Sequence, residues 1–207
     1  MRIKVCGMKD AKNMETVGRL PIDYMGFIFY APSPRYAGGL DPEEIRLPRH
    51  IQRTGVFVDE LPEVMLSLAQ CYQLSVVQLH GNESTVICDV LRREGLQVIK
   101  VFSVNDVADL QATASYEGHA DFFLFDTKTS LRGGSGRQFD WSVLQYYEGQ
   151  TPFFLSGGIG ADDVERIRQF EHPLLYALDL NSCFESSPGI KDVDLLAHGL
   201  HGLFRAF

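Results

Sequence analysis

Eight short apolar segments recur along this chain of 207 residues, one about every 26 residues, and this regularity restricts the fold more than any other feature. Most of the segments are rich in Val, Ile, Phe or Tyr and are continuously apolar rather than alternating, which is typical of strands buried on both faces. We predict strands at 2–8, 24–30, 53–58, 75–80, 97–104, 120–127, 152–158 and 175–182.

Stretches with helical spacing lie between most of these segments. One begins near Pro62, a second follows Asp106 as a potential N-cap, and a third covers 161–170 with one apolar stripe. The segment after the second strand differs, because Pro42 and Pro48 leave room for only a short or irregular helix. Strands that alternate with helices predict a parallel sheet with right-handed crossovers.

The predicted fold is therefore of the α/β class: a single compact (β/α)8 TIM barrel over residues 1–207, with a short or irregular helix after strand 2. A typical barrel has about 250 residues, so this one is small. An open doubly wound sheet is the structural alternative, although no glycine-rich fingerprint follows the first strand. No linker or shift in composition divides the chain.

The charge balance restricts the partners. The chain has 27 acidic and 19 basic residues, a net charge of −8, which argues against nucleic acid or an anionic membrane as a partner. No apolar run approaches 18 residues, and the first residues lack the apolar stretch of a signal peptide, so we predict a cytoplasmic protein. The sequence leaves the oligomeric state open.

Cysteine spacing bears on metal binding and redox state. No CxxC pair occurs, so the spacing argues against a zinc site and against a disulfide framework, and it favours reduced cytosolic thiols. The four cysteines are Cys6, Cys71, Cys88 and Cys183.

Polar residues close six of the apolar segments. In a barrel the chemistry lies at the carboxyl ends of the strands, so these residues are expected to form one site. They are Cys6-Gly7, Ser33-Pro34-Arg35, Gln78 to Gly81 with His80, Asp126, Ser156-Gly157-Gly158, and Asp179 to Ser182 with Asn181.

Asp126 and Cys6 are the candidate proton-transfer groups. Asp126 follows four apolar residues, so partial desolvation should raise its pKa and suit it to act as a general acid; a helix N-cap or a surface turn is the alternative. Alternation along the first strand puts Lys4 on the face that carries Cys6, where it would favour a thiolate that acts as a base or a redox thiol. A small core residue is the alternative for Cys6.

The other candidates suit an anionic ligand. Arg35 follows a proline-stiffened loop and can grip a carboxylate or phosphate with two bonds, or lie as a solvated charge. Glycines after strand 7 and Asn181-Ser182 after strand 8 match the usual phosphate position in barrels, or ordinary turns. His80 is equally expected as a satisfied histidine at a strand end. The stretch 133–136, flanked by Lys128 and Arg132, is a mobile loop over the site or a linker.

Taken in order, these pieces resemble the phosphoribosylanthranilate isomerase family of tryptophan biosynthesis. The matching segments extend from residue 4 to residue 192 and are specific together, although none is specific alone. They are KVCGM at 4–8, GFIF at 26–29, SPR at 33–35, GVFV at 55–58, VQLHG at 77–81, FD at 125–126, GGSG at 133–136, FDW at 139–141, LSGGI at 155–159, DLNS at 179–182, Glu185, and PGIKD at 188–192.

The resemblance implies a (β/α)8 barrel that catalyses an Amadori rearrangement without metal or organic cofactor. N-(5-phosphoribosyl)anthranilate would become 1-(2-carboxyphenylamino)-1-deoxyribulose 5-phosphate. Cys6 then matches the general base, Asp126 the general acid and Arg35 the group that holds the anthranilate carboxylate. The residues expected to bind this small phosphorylated substrate are Arg35, Gln78, His80, Gly157, Gly158, Asp179, Asn181 and Ser182.

The sequence departs from the family pattern in two places, the last motif and position 135. The last motif is usually Asp-Val-Ser-Ser-Gly-Val-Glu, but here Asn181 replaces a serine and Cys183 replaces a glycine, which restricts the backbone near the phosphate site. Ser135 stands where threonine is common. The alternatives to this function are the sibling isomerase of histidine biosynthesis, a non-catalytic phosphate-binding barrel, and a thiol redox protein.

Overall fold

The computed structural model describes residues 1–127 and 140–204. Eight parallel strands close into one barrel in sequence order, with β1 hydrogen-bonded to β8. This confirms the predicted (β/α)8 barrel. The strands are β1 Arg2–Val5, β2 Tyr24–Ile28, β3 Gln52–Phe57, β4 Val76–Leu79, β5 Gln97–Val104, β6 Phe122–Thr127, β7 Phe153–Leu155 and β8 Leu175–Leu180.

Five α-helices and several 3₁₀ segments connect the strands. The helices are α1 Ala11–Val17, α2 Pro62–Tyr72, α3 Thr85–Arg93, α4 Val164–Gln169 and α5 Val193–Phe204, all among the described residues. The 3₁₀ segments there are Pro42–Glu44, Val107–Tyr116, Trp141–Tyr146, Ala161–Asp163 and Ser182–Phe184. A short antiparallel hairpin, β9 Glu185–Ser187 with β10 Ile190–Lys191, follows β8.

Two helix predictions need adjustment. The segment after β2 has only the turn Pro42–Glu44, as its prolines predicted. Asp106 does cap the next predicted helix, forming a capping box with Asp109, but that helix is 3₁₀ rather than α. Residues 161–170 begin as a 3₁₀ turn and continue as α4.

The strands are buried on both faces, which explains their continuous apolar character. One cluster fills the barrel interior, and a second, larger cluster packs between the barrel and the surrounding helices. The interior cluster is Tyr24, Val76, Ile99, Val101, Phe122, Leu124, Phe154 and Ala177. No helix in the described ranges has the length and apolar character needed to cross a membrane.

Candidate active site

The carboxyl ends of the strands bring the predicted site residues to one face of the barrel. Cys6 directly follows β1 and is only 3% exposed. Its Sγ packs over Gly26 of β2, where a Cβ would lie 2.7 Å from the sulfur. A glycine at 26 is therefore needed to leave room for the thiol.

A buried ion pair lies beside this thiol. The Lys4 ammonium donates to Asp179 Oδ1 at 2.7 Å, and the Ser156 hydroxyl donates to Asp179 Oδ2 at 3.1 Å. Lys4 and Asp179 are register partners across β1 and β8, and both are buried. The Asp179 carboxylate, predicted as a substrate ligand, is thus held by two donors of the protein itself.

Burial decides the protonation of Cys6. Desolvation raises the pKa of the thiol above its ordinary value, while the Lys4 ammonium opposes the rise and the Asp179 carboxylate adds to it. Lys4 therefore lowers the pKa of Cys6, as the sequence predicted, but burial raises that pKa by more. The ligand-free protein holds Cys6 as a thiol at neutral pH.

Asp126 lies within β6, and its side chain is one-fifth exposed. Its Oδ1 accepts from the Thr127 N–H at 2.8 Å, and His80 Nε2 lies 3.8 Å from its Oδ2. Desolvation raises the pKa of Asp126 to about 6, with a smaller contribution from the Asp179 carboxylate. A carboxyl with this pKa is suited to donate a proton near neutral pH, as its apolar context predicted.

An open cleft of about 570 Å³ adjoins Asp126 between the ends of β4, β5 and β6. His80 and Asp126 supply polar atoms to its wall, and Phe102 and Tyr116 supply aromatic surface. Its size and mixed lining suit an organic ring attached to a polar group. Gln78 lies deeper in the barrel, 2% exposed, and its Oε1 has no hydrogen-bond partner among the described residues.

The loops after β7 and β8 meet as the phosphate prediction requires. Gly157 and Gly158 have φ values of +91° and +68°, which favour glycine, and Asn181 precedes the turn Ser182–Phe184. The Cys183 thiol donates to the Gly158 carbonyl at 3.4 Å, so the two loops are in contact. Cys183 is absent from the positive-φ residues of the described ranges, so a side chain is accommodated at this position without left-handed strain.

Gly157 also supports Asp126. A Cβ on Gly157 would overlap the Thr127 hydroxyl and lie 3.1 Å from Asp126 Oδ1. We expect Gly157→Ala to lower stability by about 1–3 kcal/mol through backbone strain and also to lower kcat/KM, because the end of β6 must move. Thermal unfolding and initial-rate kinetics check this.

Gly95→Ala is the matched control for that variant. Gly95 has φ +83°, but a Cβ there meets nothing within 4 Å. Gly95→Ala should therefore lower stability through the same backbone strain and leave kcat/KM unchanged. Equal kcat/KM values for the two variants would contradict a role for Gly157 in the site.

Arg35 is buried rather than solvated. Its Nε donates to both Glu185 carboxylate oxygens at 2.9 and 3.0 Å, and its Nη2 donates to Oε2 at 2.6 Å. Glu185 in turn accepts from the Lys191 ammonium at 2.7 Å. Sequence reasoning missed the roles of Glu185 and Lys191, although both lie in segments that carry the family resemblance.

The stretch 133–136 with Lys128, Arg132 and Ser135 lies outside the described residues. Within the described ranges, no group of three or more His, Cys, Asp or Glu residues has the arrangement to hold a metal ion. All four cysteines are free.

Comparisons with known proteins agree on one family. Residues 3–200 match the family model described as N-(5'phosphoribosyl)anthranilate (PRA) isomerase. A protein of Parabacteroides distasonis named N-(5'-phosphoribosyl)anthranilate isomerase is 45% identical over 199 residues, covering 95% of this chain and 90% of that protein. A protein of the same name from Phocaeicola vulgatus is 46% identical over 192 residues, covering 93% and 92%.

Solved structures give the same result. The phosphoribosyl anthranilate isomerase of Thermotoga maritima superposes with a TM-score of 0.86 at 34% identity, covering 98% of each chain. A phosphoribosyl anthranilate isomerase in complex with reduced 1-(o-carboxyphenylamino)-1-deoxyribulose 5-phosphate superposes with a TM-score of 0.83 at 31% identity, again covering 98% of each chain.

Proposed function

Because the chain belongs to the N-(5'-phosphoribosyl)anthranilate isomerase family, we propose that Cys6 and Asp126 carry out the proton transfers of the family's reaction. The chain is an intramolecular aldose–ketose isomerase of tryptophan biosynthesis. Its substrate is a small phosphorylated molecule, N-(5'-phosphoribosyl)anthranilate. Family membership favours this reaction over the histidine-pathway isomerase and the non-catalytic barrel.

One observation carries the assignment of acid and base. The buried pair Lys4–Asp179 interacts electrostatically with both Cys6 and Asp126, so the two candidate groups flank the same ion pair. Cys6 and Asp126 lie at the ends of β1 and β6, from which they can contact different atoms of one sugar. A pair of titratable groups with separated pKa values is typical of acid–base division.

The reaction then proceeds by two proton transfers to and from the protein, followed by tautomerisation. Neutral Asp126 donates its proton to the ribose ring oxygen, the bond from that oxygen to C1′ breaks, and the anthranilate nitrogen forms a Schiff base with C1′. The Cys6 thiolate removes the C2′ proton, and the electron pair of that C–H bond forms the double bond of an enolamine. The 2′-hydroxyl then loses a proton as C1′ gains one, which gives the aminoketone. Each transfer is worth about 10²- to 10⁴-fold in rate.

Binding groups at both ends of the substrate fix this geometry. We assign the phosphate to the loops after β7 and β8, through Gly157, Gly158, Asn181 and Ser182, where left-handed glycine backbone allows close approach to an anion. Arg35 is assigned to the anthranilate carboxylate. Glu185 occupies one edge of the guanidinium, and the two N–H groups on Nη1 make no hydrogen bond to another described residue, which leaves them for a ligand.

We assign two further groups, His80 and Gln78, to the sugar between these ends. His80 faces the cleft beside Asp126, and we assign it to contact the substrate near the ring oxygen. Gln78 offers a buried carbonyl oxygen without a hydrogen-bond partner in the described ranges, which suits a sugar hydroxyl. Asp179 is assigned to act through Lys4 rather than through direct contact, because its carboxylate is buried and each of its oxygens is held by a donor of the protein.

Residues 1–207 are proposed to form one catalytic domain, supported by closure of the barrel between β1 and β8. A cytoplasmic location is also proposed, because the assigned base is a thiol and all four cysteines are free.

The reaction is tested by direct turnover. Phosphoribosylanthranilate is generated in situ, and the loss of its fluorescence is followed after the protein is added. Rapid loss with formation of the carboxyphenylamino ketose is expected. No loss with folded protein would overturn the function and return the histidine-pathway substrate to consideration.

The pH dependence of kcat/KM tests the assigned protonation states. The active form, a neutral Asp126 with a Cys6 thiolate, carries the same number of protons as an ionised Asp126 with a thiol. We therefore expect kcat/KM to be flat from above pH 6 up to the raised pKa of Cys6, and to fall below about pH 6, where both groups are protonated. A rate that falls steadily between pH 7 and 8 would contradict this.

The substrate phosphate also titrates near pH 6, so the lower limb needs an independent control. The ¹³C chemical shift of the Asp126 carboxyl, followed in ligand-free protein, should titrate near pH 6. A midpoint near 4 would assign the limb to the substrate instead.

A further inference from the structure

We propose that Glu185 is a positioning residue that orients Arg35 directly and Asn181 through Lys191. One buried carboxylate would thereby align the groups assigned to the two ends of the substrate. The inference deepens the proposed function, since it rests on the roles given above to Arg35 and Asn181.

The first arm is the contact with Arg35. Three hydrogen bonds of 2.6–3.0 Å join the Glu185 carboxylate to Nε and Nη2 of the guanidinium. Both side chains are less than one-tenth exposed. A planar fork held along one edge in this way has a fixed plane, so its remaining N–H groups point in a fixed direction.

The second arm runs through Lys191. Its ammonium donates to Glu185 Oε1 at 2.7 Å and to the Asn181 side-chain oxygen at 2.8 Å, and its side chain is fully buried. The Asn181 amide is thereby oriented, with its oxygen toward Lys191 and its NH₂ group left to donate. An amide donor in this position suits a phosphate oxygen.

The hairpin β9–β10 holds Glu185 itself in place. The Gly189 N–H, in a turn with φ +87°, donates to Glu185 Oε1 at 3.1 Å. Asn13 of α1 exchanges two hydrogen bonds with the backbone of Lys191, at 2.8 and 2.9 Å. The carboxylate is therefore fixed from the turn and from the neighbouring helix.

Gly7 connects this cluster to the candidate base. A Cβ on Gly7 would lie 2.7 Å from both Arg35 Cδ and Asn181 Oδ1. The two side chains thus meet over the residue that follows Cys6. A change in the orientation of Arg35 or Asn181 would therefore act on the backbone next to Cys6.

The proposed role of Glu185 requires the negative charge of its side chain as well as its shape. Although burial favours the neutral acid, hydrogen bonds from Arg35 and the charge of Lys191 lower the pKa of Glu185, so it is ionised. Burial lowers the pKa of Lys191, and Glu185 opposes that effect. A neutral side chain at 185 would leave two buried cations without a counter-charge.

The test uses two ligands that differ by one carboxylate. The first is reduced 1-(o-carboxyphenylamino)-1-deoxyribulose 5-phosphate, and the second is the same molecule without the carboxyl group. Dissociation constants are measured by calorimetry. The wild-type protein should bind the first ligand about 10- to 100-fold more tightly, the value of charge-assisted hydrogen bonds to Arg35.

Glu185→Gln should bring this ratio close to one, and Glu185→Asp should restore part of it. Glu83→Gln is the matched control, because Glu83 is also a buried carboxylate that accepts from a lysine, Lys100, at 2.9 Å but does not contact Arg35. The control should keep the wild-type ratio. An unchanged ratio in Glu185→Gln, with only a lower melting temperature, would overturn the proposal.

Lys191→Met tests the second arm separately and is informative even if Glu185→Gln does not fold. It should weaken both ligands and inorganic phosphate by a similar factor and leave the ratio between the ligands unchanged. Unaltered binding of phosphate by this variant would refute the arm to Asn181.

Arg35→Met separates failure of the inference from failure of the proposed function. If this variant keeps the wild-type ratio, Arg35 does not bind the carboxylate, and the premise is wrong. If it abolishes the ratio while Glu185→Gln does not, the premise holds and the inference alone fails.

Discussion

Replacing Asp126 with asparagine should lower kcat by about 10²- to 10⁴-fold, the usual contribution of a positioned general acid. Asparagine has nearly the same shape, and its oxygen can still accept from the Thr127 N–H, which lies 2.8 Å from Asp126 Oδ1. It has no proton to give to the ribose ring oxygen. Because the contact is lost only in the transition state, KM should change little. Steady-state kinetics with phosphoribosylanthranilate measure both constants.

A matched variant beside the same strand controls for damage to the fold. Asp121 immediately precedes β6, at the end opposite Asp126, and accepts from the Val98 N–H at 2.8 Å, so Asp121→Asn removes a carboxylate far from the carboxyl ends of the strands. It should keep kcat. The assigned acid is wrong if Asp126→Asn turns over at more than about one-tenth of the wild-type rate.

Stability provides a second check on the same variant. Because the folded pKa of Asp126 is raised to about 6, its contribution to stability is present at low pH and is lost as pH rises through 6. Asp126→Asn carries no such charge. The variant should therefore be at least as stable as wild type at pH 8. A loss of turnover would then not be due to unfolding.

Replacing Cys6 with alanine should lower kcat by a similar factor of about 10²- to 10⁴-fold, because no group then accepts the C2′ proton. Cys6→Ser should not restore activity, since a hydroxyl is far harder to ionise than a thiol in the same buried position. The serine fits easily over Gly26, where the larger thiol now packs. Initial rates at pH 8 and at pH 9 distinguish these variants from wild type.

Cys88→Ala is the control for the cysteine variants. Cys88 lies in α3, is fully buried, and has a pKa raised to about 11 by burial. Its loss costs packing but should leave kcat unchanged. Wild-type turnover by Cys6→Ala, with this control behaving as expected, would show that another group is the base.

The barrel was predictable because strands buried on both faces leave an apolar signal that repeats with each unit. Boundaries were less predictable. The predicted strands 2–8 and 152–158 end in the structure at Val5 and Leu155, because the backbone leaves the extended conformation at Gly7 and Gly157, whose φ values are +78° and +91°. The segment Val107–Tyr116 has a helical pattern and a good cap, yet it is wound as 3₁₀, a difference that periodicity over ten residues does not resolve.

The candidate site was predictable where a local pattern carried the signal. An aspartate after an apolar strand predicted the raised pKa of Asp126, and strand alternation predicted that Lys4 lies beside Cys6. The contacts that decide electrostatics are long-range. Arg35 and Glu185 are 150 residues apart, and Lys4 and Asp179 are 175 apart, so no window of sequence shows that they pair. Desolvation of Cys6 likewise follows from the closed barrel and from no local motif.

Because the barrel closes between β1 and β8, we expect activity to depend on synthesis of the chain through β8. Cys6 and Lys4 leave the ribosome well before Asp179 and Asn181, which come from β8 and the loop that follows it. Contacts at this sequence separation form late, because the intervening chain must first be ordered. A nascent or truncated chain that lacks β8 therefore has its proposed base but not the ion pair beside it. The enzyme should therefore be inactive until β8 and the hairpin β9–β10, which supplies Glu185 and Lys191, are both in place.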